Sequence, residues 1–315
     1  MVVGAATMVA VFVAIVAYQV TVPLVAVCAL PLAVLLVLGK PATWAARVTL
    51  GVAIGIGALW LTQPAEPPGY AMRAGALWAT ATFVALTLTT ALSVSARALI
   101  ALGATLVGVT ATLPFVGLSW AELHWWAEHQ LGLGARTTLG RFWIGVDLTG
   151  GSGPGRPTDV AQLLEGSVRV IGAIAPALAA LAILLGLSVA GQFYYRLAAA
   201  PRGTPPKPFK TFRFSEHLGW LAIAPLLFLV IPRFAVLKPL AANVLVVLAA
   251  LYGLRGVAVA AFFLPQVTGA GFLLWLLIGT IILLMLPAVV GGAIALGLLD
   301  AGLQIRTRWK AATRS

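Results

Sequence analysis

The chain has 315 residues, of which 61% are hydrophobic and 9% charged, whereas a soluble domain carries about 25% charged residues to keep its surface wet; the composition excludes an ordinary water-soluble fold. The formal charge of +12, from 20 Lys and Arg against 8 Asp and Glu, is spread between apolar runs and builds no basic stripe, which argues against a nucleic-acid surface and for cationic loops between membrane helices. A lone Cys28 rules out an internal disulfide, a CxxC redox pair and a cysteine-based metal site.

A spanning helix needs about 20 mainly apolar residues. The chain offers such runs at 2–20, 22–38, 45–62, 74–95 and 98–118, then at 164–193, 217–236, 240–264 and 270–299. The expected fold class is therefore all-α, a polytopic transmembrane helical bundle of about nine spans, within a range of 8–10. The N-terminus has no basic leader and its first Lys or Arg is Lys40, so the first run is expected to stay as a helix. It carries Ala6, Ala10 and Ala14. Gly51 with Gly55, Ala249 with Gly253, and Gly291 with Ala295 repeat the spacing. Small residues four apart make a smooth stripe that lets helices approach closely in lipid, either inside one bundle or against a separate subunit.

In the run 74–95, Thr82, Thr89 and Ser93 fall near one helical face. They could line a polar path, or bond back to the carbonyl four residues earlier. The longest polar segment, 119–165, is slightly acidic. Ser119 with Glu122 forms a capping box that opens a short helix through Trp120, Trp125 and Trp126, with Gly132 and Gly134 ending it. Glu122, His124, Glu128 and His129 are a cluster of metal-ligand types, but the pattern is not HExxH. The neighbouring tryptophans read as an interfacial belt, and no metal or cofactor is expected. Gly150 to Pro157 is glycine-rich without a GK[ST] ending and reads as a linker, after which Asp159 and Gln162 can cap the next helix.

The loop 196–213 carries Arg196, Arg202, Lys207, Lys210 and Arg213 and no acid, which places it in the cytoplasm. Lys40, Arg47 and Arg97 then share its side, the N-terminus is cytoplasmic, and 119–165 is extracytoplasmic. Plain counting puts the tail with Arg306, Arg308, Lys310 and Arg314 outside, against the same rule. Either 270–299 is a hairpin broken around Pro287 and Gly291-Gly292, or Gly253-Leu254-Arg255-Gly256 interrupts 240–264; a cytoplasmic C-terminus is expected. The organisation is one membrane domain, 1–315: five spans in 1–118, the outer segment 119–165, further spans in 166–300 with the basic loop 196–213, and the tail 301–315.

Arg255 is an ionisable group inside an apolar run, a placement that costs about 2.5–3.5 kcal/mol on insertion scales and calls for a partner or a route to the interface. Asn243 stands twelve residues earlier, about 18 Å along an unbroken helix, so the two meet only if the glycines break it. Asp300 ends the last apolar run against the helix dipole, and a cationic neighbour such as Arg306 is expected beside it.

Phe212-Arg213-Phe214-Ser215-Glu216 before an apolar span, Asn243 opening the next, Gly256 late in it, and Gly297-Leu298-Leu299-Asp300 followed by Arg306, together with early helices bearing Pro23 and Pro31, resemble the YybS-like family of bacterial membrane proteins. That family is a domain of unknown function, and the resemblance covers most of the chain. It is similar in turn to the substrate-binding subunits of energy-coupling-factor transporters, whose first helix meets the shared transmembrane subunit through an AxxxA surface. The resemblance gives Ala6, Ala10 and Ala14 that docking role and places the protein in the bacterial cytoplasmic membrane. The chain has no ATPase motif, so pumping would need partners.

The leading functional expectation is small-molecule binding or a transport-related role, with Arg255, Asn243, Thr82 and Thr89 as ligand-binding candidates. The alternative is a non-catalytic scaffold or assembly factor docking other membrane subunits through its small-residue faces. The third is a membrane enzyme with an outer-face site at Glu122, His124, Glu128 and His129. The expected surroundings are the lipid bilayer and other membrane subunits, without nucleic acid.

Overall fold

The computed structural model describes residues 25–130, 166, 168–212, 214, 220–263 and 286–312. All named elements among them are helices, five of them long and apolar enough to cross a membrane. In hydrocarbon every backbone N–H and C=O needs an internal partner, and a helix supplies one within its own segment. The chain falls into two compact units, Met1–Pro206 and Lys207–Ser315.

The first unit contains α1 (Val25–Gly39), α2 (Trp44–Thr62), α3 (Pro67–Thr89), α4 (Val94–Val116), a short helix α5 over 120–130, a helical stretch over 168–173, and α6 (Ala175–Leu197). Thr43 caps α2 by accepting from the Ala46 N–H, and Ser93 caps α4 by accepting from the Ala96 N–H. Pro67 and Pro68 start α3, where a missing N–H costs nothing. They move that helix ahead of the expected 74–95, and Ser93 belongs to the cap of α4, off the Thr82/Thr89 face. Gly117, at φ 71, ends α4 in the left-handed region that glycine adopts freely. Leu59, Val107 and Phe115 are 65%, 69% and 90% exposed. Faces this apolar suit lipid tails and would be costly in water.

The second unit contains a 3-10 turn (Phe209–Thr211), α7 (Ile223–Val230), a 3-10 stretch (Pro232–Leu237), α8 (Lys238–Phe263), α9 (Leu286–Leu303) and α10 (Ile305–Ala312). Within the expected span 217–236, the described residues from Ile223 on form two short pieces that meet at Pro232, which has no N–H with which to continue α7. Of the two breaks considered later in the chain, the one at Gly253–Gly256 is absent, and the part of 270–299 before Leu286 lies outside the described residues. α8 runs unbroken through Gly253 and Gly256, and α9 is continuous through Gly291 and Gly292. Interrupting either would leave amides unsatisfied, and two of these glycines serve helix packing instead. The runs 2–20 and 264–285 lie outside the described residues.

Candidate functional site

α8 and α9 cross at two glycines. A Cβ on Gly256 would strike the carbonyl oxygen of Ala293, and one on Gly297 would strike that of Tyr252. Gly253 lies near Ile294, Arg255 reaches Asp300, and Phe263 meets Trp309 of α10 edge-on. The backbones of α8 and α9 approach as closely as small-residue helix contacts in lipid allow.

One turn beyond this crossing, Asp300 sits between two arginines. Asp300, Arg255 and Arg306 are 0%, 1% and 3% exposed. Arg255 donates through Nε to Asp300 Oδ2 at 2.9 Å and through Nη2 to the Asp300 backbone oxygen at 3.0 Å. Arg306 donates through Nη2 to the same Oδ2 at 2.8 Å and through Nε to Oδ1 at 3.4 Å. The Arg306 guanidinium also takes the carbonyls of Lys210 and Phe212, at 2.8 and 2.9 Å. Gln304, at φ 50, turns the chain after α9 so that Arg306 folds back onto the carboxylate.

The expected pairing of Asp300 with Arg306 is present. Arg255 finds its partner on α9, not in Asn243, whose Nδ2 donates to the Pro239 carbonyl one turn back at 2.8 Å. The Arg255 guanidinium also lies over the Phe214 ring at 5.4 Å, while its buried Nη1 has no hydrogen-bond partner. Two cations share one anion, so the cluster keeps an excess positive charge. The contacts also bring the basic segment 207–212 and the tail helix α10 to one end of the unit.

The first unit has its own buried arginine. Arg97, in the first turns of α4, is fully buried. Its Nη1 donates to Tyr195 Oη at 3.1 Å, and its Nη2 to the carbonyls of Thr90 and Thr204 at 3.4 and 3.5 Å. Tyr195 Oη donates onward to the Arg202 carbonyl, and Tyr194 Oη accepts from the Arg202 N–H. The Ala199 and Ala200 N–H groups bond to the carbonyls of Lys40 and Gly39, and Thr204 Oγ1 to that of Ala91. Gly203, at φ 82, packs where a Cβ would collide with the Thr87 carbonyl. This collar joins the α1–α2, α3–α4 and post-α6 loops at the end bearing Lys40, Arg47, Arg196 and Arg202.

At the opposite end of this unit, Ser119 and Glu122 form the capping box. Glu122 Oε2 accepts from the Ser119 N–H and Oγ at 2.7 and 2.8 Å, and the Glu122 N–H bonds to Ser119 Oγ. These bonds hold the Glu122 carboxyl below the usual carboxylate range, the backbone bond contributing most. Trp126 Nε1 donates to Glu66 at 2.8 Å, fastening α5 beneath the start of α3. His124 and Glu128 stand 3.7 Å apart, and His129 stacks on Trp125. No group of three or more His, Cys, Asp or Glu suited to a metal occurs among the described residues.

Thr89 Oγ1 bonds to the Ala85 carbonyl at 2.8 Å, and Thr82 is half-buried on the same helix. Thr82 and Thr89 belong to the first unit, Asn243 and Arg255 to the second. Ala6, Ala10 and Ala14 lie outside the described residues. The collar escaped sequence reading because most of its acceptors are main-chain carbonyls. The one available signal was Tyr194-Tyr195 closing a span at the end that Arg97 also occupies.

Multiple apolar helices with charges gathered at their ends or paired inside define a helical membrane protein. No protein-family model, curated protein or solved structure matches the chain, so its reading rests on this geometry.

Proposed function

We propose that the chain is a non-catalytic membrane subunit, a scaffold or assembly factor that works by docking other membrane helices. The observation that carries this reading is the outward direction of two small-residue stripes. A Cβ on Gly51 or Gly55 of α2, or on Gly291 of α9, would meet nothing within 4 Å, and Ala295 is exposed beside Gly291. Smooth faces open to lipid are where a partner helix can approach closely. Meanwhile Arg255, Asn243 and Thr89 bond to groups of the protein itself.

A transport-related binding subunit is the second reading, favoured by polar atoms buried without a partner: Arg255 Nη1 in the second unit, and Thr80 Oγ1 and Arg97 Nε in the first. In both readings the protein lies in a bacterial cytoplasmic membrane, with its basic loops and both termini in the cytoplasm. Photo-crosslinkers at Val52 and Val290, exposed neighbours of the stripes, test the docking. A fixed membrane partner alone supports a scaffold, and a transmembrane subunit together with ATPases supports transport. Crosslinks to lipid only refute docking. Cysteine labelling at Lys207 and Arg308 in a Cys28→Ser background tests the sidedness.

A further inference from the structure

We propose that the second unit carries a preformed binding platform for anionic lipid headgroups, assembled by Arg306 from the segment 207–212 and α10. Lys207, Lys210 and Arg308 are exposed cations on these two pieces. Phe209 and Trp309, each 46% exposed, stand among them. The pieces lie 94 and 96 residues apart in the chain and are joined by the two carbonyl bonds of Arg306 to Phe212 and Lys210. Phe209 and Phe212 stack on each other beside this junction, and Trp309 rests edge-on against Phe263.

Charge complementarity identifies the occupant. Asp300 is the one acid among the described residues of this unit; it is fully buried, and both buried arginines engage it. Among the described residues the exposed cations therefore have no internal counter-ion. Aromatic rings beside cations at the end of membrane helices fit the headgroup layer, where rings settle at the interface and Lys or Arg meet lipid phosphate. A loose basic loop would attract anionic lipid only through its charge count. Here Arg306 also fixes where the cations stand, which distinguishes this platform from ordinary cationic loops.

The proposal rests on the membrane reading of the chain, but not on the docking role or the sidedness. Native mass spectrometry of the full-length protein in detergent, with equimolar phosphatidylglycerol and phosphatidylcholine, tests it. Wild type should retain phosphatidylglycerol several-fold over phosphatidylcholine, a preference that falls with salt. Combined Lys207→Gln, Lys210→Gln and Arg308→Gln should bring the ratio close to one. Arg233→Gln with Lys238→Gln, near the opposite end of α8, should leave it unchanged. Arg306→Lys keeps the charge but loses the forked geometry, and should lower the ratio at least two-fold in protein that still elutes as one folded species. An unaltered ratio in the triple variant overturns the proposal, as does an equal loss in the Arg233/Lys238 control. Wild-type protein without lipid preference whose cations instead retain an acidic protein would also overturn it.

Discussion

Gly256 faces the carbonyl of Ala293 with no room for a methyl group between them. The opposing atom is backbone and cannot swing aside as a side chain would. Gly256→Ala should therefore force α8 and α9 apart, at a cost of about 3 kcal/mol, the upper end of ordinary overpacking. Gly291→Ala, where the added methyl meets nothing within 4 Å, should be close to neutral. Thermal unfolding of both variants in the same detergent checks the contrast.

Asp300→Asn removes the anion shared by Arg255 and Arg306 and leaves two buried cations without a counter-ion. Breaking one buried pair costs about 3–5 kcal/mol, and this substitution should reach at least that range. Arg255→Met removes the cation with an unpaired Nη1 and leaves Asp300 with Arg306, so it should cost distinctly less. Denaturant unfolding monitored by helical circular dichroism ranks the two.

Arg97→Met should untie the collar while sparing the helices. Without its bonds to Tyr195, Thr90 and Thr204, the chain after α6 keeps only the Thr204 Oγ1 bond to Ala91 as a side-chain tie to the α3–α4 loop. Trypsin should then cut after the exposed Arg202 at least ten-fold faster than in wild type. Equal rates would show that the main-chain bonds of Ala199 and Ala200 suffice.

The Glu122 cap predicts a pH dependence with a definite sign. Its carboxyl is held below the usual carboxylate range by the Ser119 bonds, so the folded form binds its proton less readily than the unfolded chain. The stabilisation is fully present above the ordinary carboxylate pKa and is lost as pH falls through the depressed folded value. Hydrogen exchange at the Ser119 amide, corrected for intrinsic rate, should show constant protection from neutral pH down to about 5 and loss in stronger acid. Glu122→Gln should abolish that acid step.

Local patterns were legible in the sequence and distant ones were not. Hydropathy placed α2 within a residue at its start, and the Ser119–Glu122 box and the Asp300–Arg306 pair follow from residues three and six apart. The partner of Arg255 stands 45 residues away on another helix, a distance at which periodicity carries no information. The glycines of α8 were ambiguous for a physical reason. Glycine marks both breaks and close contacts, and in lipid a break is the costlier choice because it frees backbone groups. The Arg97 collar depends on carbonyls, which every residue possesses, so composition could not point to it.

The carboxylate shared by two guanidiniums also imposes a direction on evolutionary change. A lineage that discards Arg255 keeps a neutral Asp300–Arg306 couple, and one that discards Arg306 forfeits two carbonyl ties as well. Mutating Asp300 first strands both cations, so neutral drift at this junction opens most easily at Arg255.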